Sequence, residues 1–343
     1  MRALKIVARG ELRIDEVPVP SIEPDEVLVQ VAGAGLCHSD LHLLHAPTIG
    51  RYGMTLGHET AGHIDQLGSE VSGFAEGDPV LVALVWACGD CRPCREGRDN
   101  VCVNQGGRLR PPPAPGLGPD GGMADYIVSK ARYLEPLGAL DPVTAGPLAD
   151  AALTPMHAIN GARHRLGPEA TVVTIGIGGL GHMGLQILKA TTSARIVAVD
   201  SSPERLAAAT HLGADVALAS GPDTAAAILD LTGGYGADAV FDFVGLQATM
   251  DIAGNSIAPD GALRLVGLGG GTISVGLSLQ PLPWGVEVRR SYGGTRADQR
   301  QVLDLAAAGT ISVDTVRYSL DDGLQAFADL EAGTVPGRAI LVP

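Results

Sequence analysis

A chain of 343 residues is long enough to bury two hydrophobic cores, at roughly 100 to 200 residues per domain. Its formal net charge of −14 excludes nucleic acid and anionic membrane surfaces as partners held by charge. No apolar run approaches the roughly 18 residues of a membrane span, and residues 1–10 carry Arg2, Lys5 and Arg9 with no apolar run behind them, so no secretory signal is expected and a cytoplasmic location is.

Up to about residue 147 the chain reads as short strands and turns. Residues 26–32 (EVLVQVA) alternate in the period of two and predict a strand. Cys37 follows in G-L-C-H-S-D, and His58 lies some twenty residues on in G-H-E. A Cys/His site that keeps an exchangeable position can be catalytic. Residues 78–84 (DPVLVAL) predict a second strand. Next come Cys88, Cys91, Cys94 and Cys102 in C-x2-C-x2-C-x7-C, the spacing of a four-thiolate zinc site. Such a site is closed to substrate and therefore structural. Two disulfides are the competing reading. The C-x2-C pairs are too short to bridge comfortably, and a chain this long does not need such staples. Residues 108–122 (RLRPPPAPGLGPDGG) predict a loop, because three consecutive prolines continue neither a helix nor a central strand.

From residue 170 the pattern changes. Strands at 171–175, 195–199, 238–243, 262–266 and 286–291 are predicted, with helices at 180–191 and 203–212, the latter capped by Ser201 or Ser202. Strands separated by helix-length segments imply an α/β fold with a parallel sheet. A helix at 299–308, a short helix at 323–331 and a strand at 338–342 complete the prediction.

The strand at 171–175 runs into Gly176-Ile-Gly178-Gly179-Leu180-Gly181, a G-x-G-x-x-G, with Asp200 nineteen residues past Gly181 at the end of the next strand. That context makes the string a dinucleotide fingerprint. Gly176 permits the turn, Gly178 lets backbone approach a pyrophosphate, and Gly181 lets helix pack on strand, while the helix N-terminus favours phosphate. Asp200 can accept bonds from both ribose hydroxyls but would repel a 2′-phosphate, and no Arg or Lys directly follows it. The predicted cofactor is NAD rather than NADP. Arg205 is close enough to serve the adenosine, or is a solvated helix residue.

G-L-C-H-S-D at 35–40, G-H-E at 57–59, the four-cysteine lobe at 88–102 and G-x-G-G-x-G at 176–181 together resemble the zinc-dependent medium-chain alcohol dehydrogenases, over essentially the whole length. The similarity is greatest to bacterial NAD-dependent enzymes acting on secondary alcohols. The resemblance implies a GroES-like β-barrel catalytic domain, 1–147 with 288–343, and a Rossmann NAD-binding domain, 148–287. It also implies two zinc ions per chain. Cys37, His58 and Asp150 would hold the catalytic one, and Cys88, Cys91, Cys94 and Cys102 the structural one. Asp150 as a plain helix cap is the alternative. Glu59 would be a carboxylate able to approach the metal, and Asp40 would orient the ligand histidine.

The same resemblance makes Ser39 and His42 a proton path from the substrate oxygen, with His42 as a pocket wall the alternative. It places Trp86, Leu117 and Tyr292 (beside His42) at the substrate, Thr154, Val244, Val266 and Leu268 near the nicotinamide, and Arg338 at the pyrophosphate. The mostly apolar pocket implies reversible hydride transfer between NAD and a hydrophobic secondary alcohol or ketone, with zinc as Lewis acid. Primary or aryl alcohols, aldehydes and polyols are the alternatives within the family, and a non-catalytic NAD- or zinc-binding protein is the alternative outside it. A homodimer or homotetramer is implied.

Overall fold

The computed structural model describes residues 1–45, 51–276 and 282–343. Two compact units result: Met1–Ala151 with Thr295–Pro343, and Ala152–Gly294.

The first unit is mostly strand. β1 (Arg2–Ala8) and β2 (Glu11–Glu16) form an antiparallel hairpin. β3 (Glu26–Gly35) is the hub of the main sheet, pairing antiparallel with β4 (Glu59–Leu67) along most of its length. Two irregularities, at Leu28/Val29 and Val31/Gly33, bend β3. Between these strands lies α1 (His38–His45), a helix where only strands and turns were predicted. β5 (Pro79–Val82) extends the sheet, and a lobe carrying the short helix α2 (Arg92–Arg95) follows. β6 (Tyr126–Lys130), β7 (Leu134–Pro136) and α3 (Pro142–Ala145) lead to a 3-10 turn, Gly146–Ala149. Val27, Val29, Val31, Ile64, Val80 and Val82, from the inward positions of β3 to β5, form the core.

The second unit alternates. α4 (Leu153–Asn160) enters it, and β8 (Thr171–Ile175) is buried along its whole length, as a central parallel strand must be. Then come α5 (Gly181–Thr191), β9 (Arg195–Asp200), α6 (Pro203–His211), β10 (Val216–Ala219), α7 (Thr224–Leu231), β11 (Ala237–Asp242), α8 (Gln247–Ser256), β12 (Ile257–Leu265) and β13 (Glu287–Arg290). The six strands pair in parallel in the order β10-β9-β8-β11-β12-β13. That is the doubly wound arrangement, with its order reversing between β8 and β11.

The chain then returns to the first unit as α9 (Arg296–Ala307), β14 (Thr315–Ser319), α10 (Gly323–Glu331) and β15 (Arg338–Val342), the last pairing with β14 and β3. Two expectations are corrected. The boundary placed at 287/288 would cut through β13, which pairs with β12 and is tied to it by buried Arg264, donating to the Glu287 carbonyl at 2.9 Å. The unit ends at Gly294 instead. The helix predicted from residue 299 starts at Arg296, because Thr295 and Asp298 form a reciprocal capping box. Among the described residues no helix is long and apolar enough to cross a membrane.

Candidate metal centres and dinucleotide loop

Cys37 leaves β3 at the point where α1 begins. Its N–H donates to Asp40 Oδ2 at 2.9 Å, so Asp40 closes the first turn of α1 with one oxygen. The other, Oδ1, lies 3.4 Å from His58 Nδ1. His58 immediately precedes β4 and follows Gly57, whose φ of +102° and close approach to Met123 N exclude a side chain there. The far ring nitrogen, Nε2, lies 3.4 Å from Asp150 Oδ2, which is 3.7 Å from Cys37 Sγ. Asp150 stands just past the 3-10 turn Gly146–Ala149 and before α4, outside any regular element.

One ligand atom each from Cys37, His58, Glu59 and Asp150 lies within 4.8 Å of the others, and all four residues are buried. Both His58 nitrogens are buried without a hydrogen bond, which is costly unless another partner takes them. Burial disfavours the imidazolium, but the Asp40 and Asp150 carboxylates outweigh it and hold His58 well above its ordinary pKa. The same carboxylates that favour a proton on His58 also favour a bound cation. Soft sulfur, imidazole and carboxylate are the donors zinc takes. The residues fit the metal.

Glu59 is held from behind. Arg338 Nε donates to Oε2 at 2.8 Å, Arg338 Nη2 bonds Oε1, and Ala151 N–H donates to Oε1 at 3.2 Å. Burial raises the Glu59 pKa, and Arg338 opposes that rise. A Cβ on Gly35 would lie 2.1 Å from Glu59 Oε2, so this packing requires glycine. The buried Arg338–Glu59 pair was not foreseen, since residue 338 was assigned only by resemblance, to the pyrophosphate. Ser39 is half-buried with Oγ 3.7 Å from Cys37 Sγ, and His42 is exposed on the same helix. Trp86 stacks on Tyr133 with centroids 5.3 Å apart, and it packs with Leu117 on the core of the first unit.

The cysteine lobe makes a second centre. Its sulfurs lie within 4.8 Å of one another, with Cys91–Cys94 at 3.4 Å, Cys91–Cys102 at 3.8 Å and Cys88–Cys94 at 3.9 Å. Four sulfurs about 2.3 Å from a tetrahedral zinc would be about 3.8 Å apart. All five cysteines of the chain are free thiols. Burial raises the Cys91 thiol, but backbone N–H donors and the neighbouring thiols outweigh it and bring it down to about 6, while burial and Cys91 push Cys94 up. Zinc would complete the deprotonation that Cys91 begins.

In the second unit Gly176 adopts φ +86° between β8 and α5, with Val244 Cγ2 2.4 Å from where its Cβ would stand. A Cβ on Gly181 would strike the Gly176 carbonyl, at 1.8 Å, so helix and loop touch only because it is absent. A Cβ on Gly178 would meet nothing closer than Arg205 Nη1 at 3.9 Å, which leaves the loop open for a phosphate. Ile177 N–H donates to Asp200 Oδ2 at 2.6 Å and Ser202 N–H to Oδ1 at 2.9 Å, and Arg205 Nη1 lies 4.0 Å from Oδ2. Asp200 thus braces the loop as well as ending β9. Buried Asp242 does the same at β11, accepting from Val244 and Gly245 N–H and from Thr249 Oγ1, all at 2.9 Å. Thr154 and Val266 are buried, Tyr292 is half-buried and Leu268 is exposed.

Comparison with known proteins identifies the family. Residues 23–139 match the alcohol dehydrogenase GroES-like domain and residues 179–308 the zinc-binding dehydrogenase domain. A D-arabinose 1-dehydrogenase (NADP(+)) of Saccharolobus solfataricus is 36% identical over 97% of this chain and 94% of its own. An NAD-dependent alcohol dehydrogenase of Sulfurisphaera tokodaii is 35% identical over the full length of both chains. The crystal structure of the alcohol dehydrogenase from Aeropyrum pernix superposes with a TM-score of 0.91 at 34% identity, covering both chains completely. The chain belongs to the zinc-dependent medium-chain alcohol dehydrogenases, with a GroES-like domain and a Rossmann domain.

Proposed function

We propose that this enzyme catalyses reversible hydride transfer between NAD and a hydrophobic secondary alcohol or its ketone. The observation that carries the reading is the buried Cys37–His58–Asp150 donor set, with Asp40 bracing the far side of the histidine. Bound there, zinc would polarise the substrate oxygen, and NAD would take or give the hydride. The chain's own residues do the rest. Asp40, 3.4 Å from Nδ1, would orient the His58 ring and leave Nε2 as the nitrogen to hold the metal. Arg338 holds the Glu59 carboxylate at the edge of the donor set. Ser39 stands beside Cys37, and His42, one turn along α1 and exposed, takes the proton outward. Thr154, Val244, Val266 and Leu268 serve the nicotinamide, and Arg338 the pyrophosphate as well.

NAD is favoured over NADP because Asp200 is buried and fixed by two backbone donors, so it cannot turn away from a 2′-phosphate. The apolar character of Trp86 and Leu117 favours a hydrophobic substrate over a polyol. A second reading, a sugar dehydrogenase using NADP, is favoured by the D-arabinose 1-dehydrogenase relative and by Arg205 beside Asp200. A homodimer or homotetramer working in the cytoplasm is part of this reading. The test is reduced-cofactor formation with NAD and with NADP across secondary, primary and aryl alcohols and D-arabinose. Highest kcat/KM for an aliphatic or aryl secondary alcohol with NAD is expected. Preference for D-arabinose with NADP would replace the first reading with the second.

A further inference from the structure

α9 buries Gln299, Val302 and Leu303 beside Asp298, whose carboxylate is taken by the capping box. Two of these are what the amphipathic pattern demands, and Gln299 is not. Its Nε2 donates to the Leu148 carbonyl at 3.1 Å, while its Oε1 is buried with no hydrogen bond. Among the described residues, the Nε2 bond is the hydrogen bond that offsets burying this amide.

Leu148 lies in the 3-10 turn Gly146–Ala149, two residues before Asp150. A carbonyl at the end of such a turn has no helical partner, and Gln299 supplies one. Asp150 then leaves helical geometry, at φ −132° and ψ −57°, and turns its carboxylate toward His58 and Cys37. On the far side Ala151 N–H is held by Glu59. The peptide carrying Asp150 is clamped before and after the ligand. α9 is itself fixed at its start, where Arg296 N–H donates to Asp99 Oδ2 at 3.1 Å and its guanidinium pairs with Glu135 at 2.7 Å.

We infer that Gln299 is a positioning residue for Asp150, setting the affinity of the Cys37–His58–Asp150 centre for its metal. This rests on the reading of that centre as a zinc site. Groups that hydrogen-bond a metal ligand directly change metal affinity by about 10- to 100-fold, and Gln299, acting through the Leu148 carbonyl, is expected at the lower end, about tenfold. The test is chelator competition on the zinc-loaded enzyme, with Gln299→Met, which keeps length without the donor, and Gln299→Leu, which keeps branched apolar bulk without it. One zinc of each variant is expected to leave at about tenfold lower chelator concentration, while the four-thiolate zinc leaves as in the wild type. The visible spectrum of cobalt substituted at the weaker site should change as well. Wild-type retention of both ions in a variant that merely melts earlier would overturn the inference, as would failure of both variants to fold, which would make Gln299 a core residue only. A wild-type protein binding a single zinc would instead overturn the reading of the centre itself.

Discussion

The cysteine lobe and the Cys37–His58–Asp150 centre are built in opposite ways. The four sulfurs of the lobe come from residues 88 to 102, and little more than a turn and a short helix is needed to gather them. The other centre draws on residues 37, 58, 59 and 150, and it forms only once β3, β4 and the 3-10 turn are in place. It is wholly buried and carries a further layer of Asp40, Arg338 and Gln299. A local site can contribute its binding energy to folding, whereas a dispersed one is positioned by a fold already made. That makes the first a staple and the second an instrument.

Equivalent substitutions in the two centres should therefore separate. Cys37→Ser is expected to lower turnover by more than about 100-fold, since losing a ligand exceeds losing its orienting partner. Its melting temperature should stay near that of the wild type. Cys94→Ser should release the other zinc and lower the melting temperature by about 5 °C or more, with substrate KM little changed. Calorimetry and steady-state kinetics on both variants check the pair. Equal melting temperatures would erase the distinction between staple and instrument.

The dinucleotide loop is a third kind of site, local in its glycines but closed by a carboxylate from the next strand. Asp200→Gly combined with Ser201→Arg should move the NAD-to-NADP ratio of kcat/KM by about 30-fold or more toward NADP, from removal of like charge. Asp200→Gly alone should weaken both cofactors somewhat, because Ile177 N–H loses its acceptor. Wild-type kinetics with NADP equal to NAD would refute the role given to this carboxylate. The smallest effect is expected at His42. His42→Ala should slow oxidation by about tenfold near neutral pH and less at pH 9, where hydroxide substitutes for the missing base. An unmoved pH–rate curve with altered substrate preference would make His42 a pocket wall.

What the sequence disclosed follows the same division. Cysteine spacing and the strand–glycine–helix context state their chemistry locally, and the structure gathers those residues as spacing implies. Asp150 carries no local mark, and only resemblance singled it out. Arg338 on Glu59 joins residues 279 apart, and Gln299 on Leu148 joins residues 151 apart, so no window of sequence could show either. The start of α9 is marked locally: Thr295 and Asp298 stand at capping-box spacing, with Asp where the usual pattern has Glu or Gln. β13 was predicted as a strand, yet its sheet partner is fixed by register and by Arg264, which its short sequence does not reveal.

The central claim is that one chain holds two zinc ions with unequal duties. Metal analysis of fully active protein tests it most directly. Two zinc ions per chain are expected, falling to one in Cys37→Ser, which is inactive but folded, and to one in Cys94→Ser, which is less stable. A single zinc per chain in fully active wild-type protein would contradict the account.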